Sequence, residues 1–298
     1  MGSKLYPGNL GDGLLAIYFA RFPSAYHVER HLLKEKTVMK WMKIIVGALC
    51  LFAMLGGPSA QAGDSKIKEI KSNGALRICH AEALPMNYKD PKTGNWTGYN
   101  VDAGEDLAEN MGVKLVHVDA TWATVIPSLL ADKCDIGMVG LFRTAARAQV
   151  VLFADAWGFD TQQIAVSESS NMKTYADIDQ AGKVISVLSG TADEAYARVF
   201  FVNAEVKALV SDKLATIFLE VASKRADAVF TDSTTMKMFV EANPAMKLRA
   251  LGDEPVNPQG YSYAIAPGEY HFQQFVNIWM ERTETSGKKK SWHNKWFK

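Results

Sequence analysis

Three short stretches of this chain place a reactive side chain just beyond an apolar run. Arg147 closes the segment Gly140-Leu141-Phe142-Arg143-Thr144-Ala145-Ala146-Arg147, which follows directly on residues 135–139. If that run is a strand, Arg147 lies at its carboxyl end, where α/β sheets hold ligands. A guanidinium there can grip a carboxylate through two parallel hydrogen bonds; on an ordinary surface it would simply pair with an acid. Ser189-Gly190-Thr191-Ala192-Asp193 follows the run 184–188. A strand, a glycine, a hydroxyl residue and a helix start can gather backbone N–H groups around an anion, or form only a helix cap. Asp232 follows residues 228–231. Its carboxylate can accept hydrogen bonds from an ammonium group, or cap a helix beginning near Ser233. No His, Cys or Ser constellation accompanies these stretches, so catalysis, a metal site and a cofactor are not expected.

The elements that must position these groups read as alternating strands and helices. Residues 76–79 form a buried strand pattern. A polar turn at 89–94 follows, then a helix over 101–111 that Asn100 can cap and Gly112 can end. Strands are expected at 114–118 and 135–139. Between them lies a helix over 125–130, with Thr124 as its cap and Pro127 in its first turn. The rhythm restarts with a strand at 184–188, helices at 191–201 and 214–223, strands at 228–230 and 260–266, and a helix from 270 to about 283. This order argues an α/β fold with largely parallel sheets, and two such units facing each other make a cleft.

With 298 residues and 48% hydrophobic content the chain can bury a substantial core. Its 33 basic and 32 acidic residues leave a net charge of +1, which gives no footprint for nucleic acid. From Met39 the chain carries Lys40 and Lys43, then an apolar run at 44–55, then Ala60-Gln61-Ala62. This is the pattern of a secretory signal peptide cleaved near Ala62, too short to span a bilayer. Residues 1–38 then precede the expected initiator Met39 and are read as a non-structural extension. The mature chain holds Cys79 and Cys134. An even count outside the cytoplasm invites a disulfide. Parallel neighbouring strands would, however, put the two at opposite ends, and two buried thiols are expected.

The order of these motifs resembles the periplasmic solute-binding proteins of polar-amino-acid ABC importers, the bacterial extracellular family 3, over nearly the whole mature chain. The resemblance rests on Leu76-Arg77-Ile78, Pro85-Met86, Thr97-Gly98-Tyr99 and the segment Trp122-Ala123-Thr124-Val125-Ile126-Pro127-Ser128-Leu129. It continues through Lys133-Cys134-Asp135-Ile136, Thr144 to Arg147, Val151-Leu152-Phe153-Ala154-Asp155 and a closing helix with Trp279 and Trp296. It implies the two-lobed type II binding-protein fold, each lobe a mostly parallel sheet flanked by helices. Lobe one would comprise 64–158 plus 256–298 and lobe two 159–255, joined by a two-strand hinge near 159–161 and 254–257. It further implies a monomer that captures an amino acid or a similar small zwitterion and hands it to a membrane permease.

Carried over residue by residue, the resemblance gives Arg147 the ligand carboxylate, with help from Gly190 and Thr191. It gives Asp232 and the Gly140 carbonyl the ammonium, and makes Trp122 a wall. Phe142 stands where the family usually has Ser or Thr, and Ala83 where it often has an aromatic ring; Leu84 can fill that gap. Glu82 can face a cationic side chain or equally point to solvent, and Leu188 ends the strand before the anion turn. Some proteins of this fold are dehydratases of prephenate-like acids, which gives the alternative reading as an enzyme.

Overall fold

The computed structural model describes residues 65–297; the signal segment expected at 39–62 and the extension at 1–38 lie outside them. The first half runs α1 (Lys66–Asn73), β1 (Ala75–His80), the short hairpin β2 (Tyr88–Lys89) and β3 (Trp96–Thr97), α2 (Tyr99–Met111) and β4 (Lys114–Asp119). It continues with α3 (Val125–Leu130), β5 (Ile136–Phe142), α4 (Ala145–Ala148) and β6 (Leu152–Phe153). The second half holds β7 (Gly158–Ser167), α5 (Tyr175–Ile178), β8 (Val184–Leu188), α6 (Ala192–Phe200) and β9 (Glu205–Leu209). After these come α7 (Ala215–Ala222), β10 (Ala228–Asp232), α8 (Ser233–Ala242) and β11 (Leu248–Ala250). The chain then returns through β12 (Val256–Ile265) to α9 (Tyr270–Thr285) and α10 (Lys288–Trp296). No helix among the described residues is long and apolar enough to cross a membrane.

One ten-stranded sheet links both halves in the order β4-β1-β5-β12-β7-β10-β8-β9, with β6 on β12 and β11 on β7. The flanks are parallel: β1 lies between β4 and β5, and β8 between β9 and β10. The middle is antiparallel, where β12 pairs with β5 and β7, and β7 with β10. β5 is apolar on both faces because it is covered on both sides, as interior strands of such sheets require. Separate apolar clusters form on the two sides. One centres on Ile78, Met138, Trp157 and Phe272. Another, in the second half, centres on Ile164, Ile185 and Phe230.

Local details differ from the sequence reading. Helix α2 starts two residues early, after Gly98, whose φ of +127° no other residue adopts easily. A Cβ at Gly98 would also run into the Met86 carbonyl. Asn100 is therefore not a cap. It lies fully buried inside α2 and donates from its amide to Asn87 Oδ1 (2.8 Å). Thr124 precedes α3, yet its hydroxyl accepts the N–H of Thr121 (2.8 Å) rather than a helix N–H.

The cysteine expectation is corrected: Cys79 and Cys134 form a disulfide. The strands are indeed parallel neighbours, with Cys79 opposite Gly137. The chain does not reach β5 in line with it, however. It leaves α3 through a turn over the face of the sheet, so Cys134 lands on the face to which Cys79 points, 5.6 Å away between Cα atoms. Both sulfur groups are buried against Val125 and Leu129.

Behind the loop at 81–87 runs a polar chain that is buried at Asn87 and His80 and reaches the surface at His117. Asn87 donates one amide hydrogen to the Met138 carbonyl (3.0 Å) and the other to His80 Nδ1 (2.8 Å). His80 Nε2 then meets His117 Nδ1 at 2.9 Å. Since Asn87 only donates here, His80 must accept at Nδ1 and carry its proton on Nε2. Protonating either ring would set N–H against N–H. Burial, with the neighbouring His117, lowers the His80 pKa to about 3. The unfolded chain then binds a proton below about pH 6.5 that the folded chain refuses, so this contribution to stability is complete above that pH and is lost on acidification towards 3. Denaturant unfolding between pH 6.5 and 5 should lose up to about 1.4 kcal/mol per pH unit from this group. His80→Gln, which offers an acceptor and a donor of fixed charge, should flatten that slope; an unchanged slope would refute the assignment.

Candidate ligand-binding cleft

The two halves of the molecule enclose a cavity at the carboxyl ends of β5, β8 and β10, bounded at the back by the central strands β7 and β12. Of the residues singled out from sequence, Glu82, Trp122, Gly140, Phe142, Arg147, Leu188, Thr191 and Asp232 line it. Arg143 does not; it lines a separate open groove beside Phe159 and Gly260. The cavity measures about 40 Å³, small beside the ~150 Å³ that houses a benzene-sized guest. An amino acid therefore requires the walls to part.

Arg147 sits in the one-turn helix α4, which Thr144 caps by accepting the Arg147 N–H (3.2 Å). This turn swings the guanidinium back over the end of β5. Nη1 donates to the Phe142 carbonyl (3.1 Å), and Nη2 crosses the cleft to the Gly190 carbonyl (3.0 Å). Burial lowers the Arg147 pKa, and Asp193 nearby opposes that shift.

The turn before α6 behaves mainly as a cap. The Thr191 hydroxyl accepts the Glu194 N–H (3.1 Å) and donates to the Leu188 carbonyl (2.7 Å). The Gly190 N–H, expected to face a ligand anion, instead donates to Glu194 Oε2 (2.9 Å). Gly190 does not line the cavity. Its φ of +81° and its approach to Ala123, where a Cβ would come within 2.5 Å of the Cα, still demand glycine. Thr191, Ala192 and Asp193 bring the positive end of α6 to the cavity wall.

Asp232 combines both roles considered for it. Its Oδ1 accepts the Thr235 N–H (2.8 Å) as the cap of α8, and its side chain lines the cavity. Desolvation, reinforced by Asp160 and Asp193, raises its pKa well above the usual carboxylate range. Desolvation likewise pushes Asp193 up to about 6, against the pull of Gln162 and Arg147. Glu82 accepts the Leu214 N–H (2.7 Å) from the other side of the cleft, and burial raises its pKa. Trp122 donates from Nε1 to the Glu82 carbonyl (2.9 Å). The Thr235 hydroxyl donates to the Leu84 carbonyl (3.3 Å). The mouth is thus bridged at several points.

Sequence reasoning missed Asp160, Asp193, Leu214, Thr235 and Tyr261, all on the cavity wall. Asp160 and Tyr261 meet there only because β7 and β12 pair antiparallel, with Gln259 opposite Asp160 and Tyr261 opposite Gly158. The signal available was a carboxylate inside the segment already expected to cross the hinge.

The family model for bacterial extracellular solute-binding proteins, family 3, matches residues 76–298. A cyclohexadienyl dehydratase of Pseudomonas aeruginosa is 28% identical over 251 residues, which is 83% of this chain and 92% of that protein. The lysine/arginine/ornithine-binding periplasmic protein of Escherichia coli is 29% identical over 178 residues, 59% of this chain and 67% of that one. Among solved structures, an ancestral amino acid-binding protein, described as a precursor of cyclohexadienyl dehydratase, superposes with a TM-score of 0.70 at 30% identity. The match covers 78% of this chain and 100% of that chain.

Proposed function

This chain belongs to the bacterial extracellular solute-binding proteins, family 3, and on that premise we propose that it captures an amino acid or similar small zwitterion outside the cytoplasm and delivers it to an ABC permease. The observation that carries this reading is the pairing across one cavity of a half-buried guanidinium, Arg147, with a carboxylate, Asp232, at the other side. Arg147 holds the ligand carboxylate beside the first turn of α6. Asp232 accepts the ammonium, and Trp122, Phe142 and Leu188 form the apolar walls.

Lobe one, in this reading, comprises 64–158 with 256–298, and lobe two 159–255. The contacts that bridge the mouth must break and reform as β7 and β12 flex, which is hinge closure. The protein works as a monomer without a cofactor, and the closed form presents both lobes to the permease.

A second reading has support of its own. Asp193 and Asp232 are carboxyl groups whose pKa values burial raises, so either could supply a proton to a departing hydroxyl, and the dehydratase is a relative along most of the chain. One experiment separates the two. A thermal-shift screen against amino acids should find a ligand that, at 100 times its Kd, stabilises by about 2.7 kcal/mol, or roughly 5–10 °C for a domain of this size. Incubation with prephenate or arogenate should leave both unchanged. Conversion of either would overturn the transport reading in favour of catalysis.

A further inference from the structure

One buried group in the cleft has no part in the zwitterion scheme. Asp193 lines the cavity with 6% of its surface exposed, while Arg147 answers the carboxylate and Asp232 the ammonium. Its position is set from the central strands. Gln162, fully buried on β7, donates from Nε2 to Asp193 Oδ1. Gln162 Oε1 in turn accepts from Asn257 Nδ2 (2.7 Å). Asn257 stands on β12 with a φ of +54°, inside the irregularity where β12 slips register against β7 between Val256 and Gln259. A non-glycine residue in that conformation carries strain, which asparagine tolerates better than most. Two amide side chains and a distorted strand therefore aim one carboxylate into the cleft.

The charges around it are unequal. Asp160 faces the cavity from β7, Asp193 from α6, Asp232 from the end of β10 and Glu82 from the loop after β1. Arg147 is the single cationic side chain among the described residues lining the cavity. Buried charge has to be matched by opposite charge or by protons. A simple zwitterion adds one charge of each sign and leaves this excess as it was. A ligand with a second cationic group reduces the excess, and one with a second carboxylate increases it.

We propose that Asp193 is a specificity-determining residue, held on target by Gln162 and Asn257 as positioning residues, through which the cleft selects ligands of net positive charge and rejects anionic ones. The inference rests on the ligand-binding reading above and narrows its class to amino acids with a second ammonium or guanidinium group.

Calorimetry with L-ornithine, L-glutamine and L-glutamate tests it, the last two being alike in size and different in charge. The purified protein should bind ornithine at least about tenfold more tightly than glutamine, and glutamine at least about 100-fold more tightly than glutamate. Asp193→Asn keeps the shape and the contact with Gln162. It should narrow the glutamine-to-glutamate gap about tenfold and weaken ornithine by a similar factor. Asn257→Gly preserves the positive φ while removing the amide. It should narrow the gap in part and move the pH dependence of ornithine affinity upward, because Asp193 with a looser donor ionises at higher pH. A general loosening of the fold would not move that profile. Glutamine bound as tightly as ornithine, glutamate bound as tightly as glutamine, or ornithine affinity untouched by Asp193→Asn overturns the inference and leaves amino-acid binding standing. Failure of all three to bind while the thermal-shift screen finds another amino acid likewise overturns it; a screen that finds no ligand removes the binding reading, and the inference with it.

Discussion

Arg147→Ala should weaken ligand binding by about 2–5 kcal/mol, roughly thirty- to five-thousandfold. The ligand carboxylate would be closed into a cavity that holds no other cation among the described residues. Two further losses accompany that one. The guanidinium ties the Phe142 carbonyl in the first half and the Gly190 carbonyl in the second, so its removal also deletes a contact across the mouth. Arg147→Lys should recover only part of the affinity, because an ammonium cannot bond both carbonyls and a carboxylate in one plane. Arg143→Ala is the control: its side chain lines a different groove, and affinity should hold. Calorimetry with the ligand found by thermal shift is the measurement. Unchanged affinity in Arg147→Ala would end the proposed role of this residue.

The second large effect concerns stability. Cys79 and Cys134 enclose a loop of sequence separation 55. Closing such a loop removes unfolded-state entropy equivalent to about 4 kcal/mol. The paired substitution of both cysteines by Ala should therefore lower the unfolding free energy by about that amount, with a small further loss from two sulfur-sized voids beside Val125 and Leu129. Reduction of the native protein should reproduce most of the effect. Denaturant midpoints with and without reductant measure it, and coincident curves would contradict the disulfide. The bond joins β1 to the turn before β5, so it braces the strand end from which the loop at 81–87 departs toward the cleft.

How far the sequence spoke can be judged at particular residues. Arg147, Thr191 and Asp232 were legible because each stands at the end of an apolar strand or a short connection beyond it, and the carboxyl end of a strand points one way only. The capping roles of Thr191 and Asp232, which the sequence could not separate from ligand binding, are present in the structure alongside their places on the cavity wall. Asp193 was visible only as an acid in the first turn of a helix; what makes it unusual is Gln162, fixed through an antiparallel pairing with no local signature. Asn100 looked like a cap because Asn before an apolar helix usually is one. Its burial follows from contacts with Asn87 and the Tyr263 hydroxyl, both remote in sequence. The cysteines were misjudged because strand order was inferred without the turn that carries the chain over the sheet.

The placement of β12 has a consequence for the order in which this molecule can form. β12 lies at the middle of the sheet, with Ile265 opposite Ile136 of β5 and Leu152 of β6. Until the chain has been made as far as residue 265, β5 presents an open edge whose side chains are almost all destined for the interior. The segment between, from β7 to β11, contains every partner of its own parallel strands β8, β9 and β10 and can collapse first. The first half must wait for the last strand and the helix α9 that packs behind it. Pairings between distant segments are slow to form, and an exposed apolar edge invites self-association in the meantime. Truncation a few residues before β12 should consequently yield a chain that aggregates through β5, rather than a smaller soluble domain.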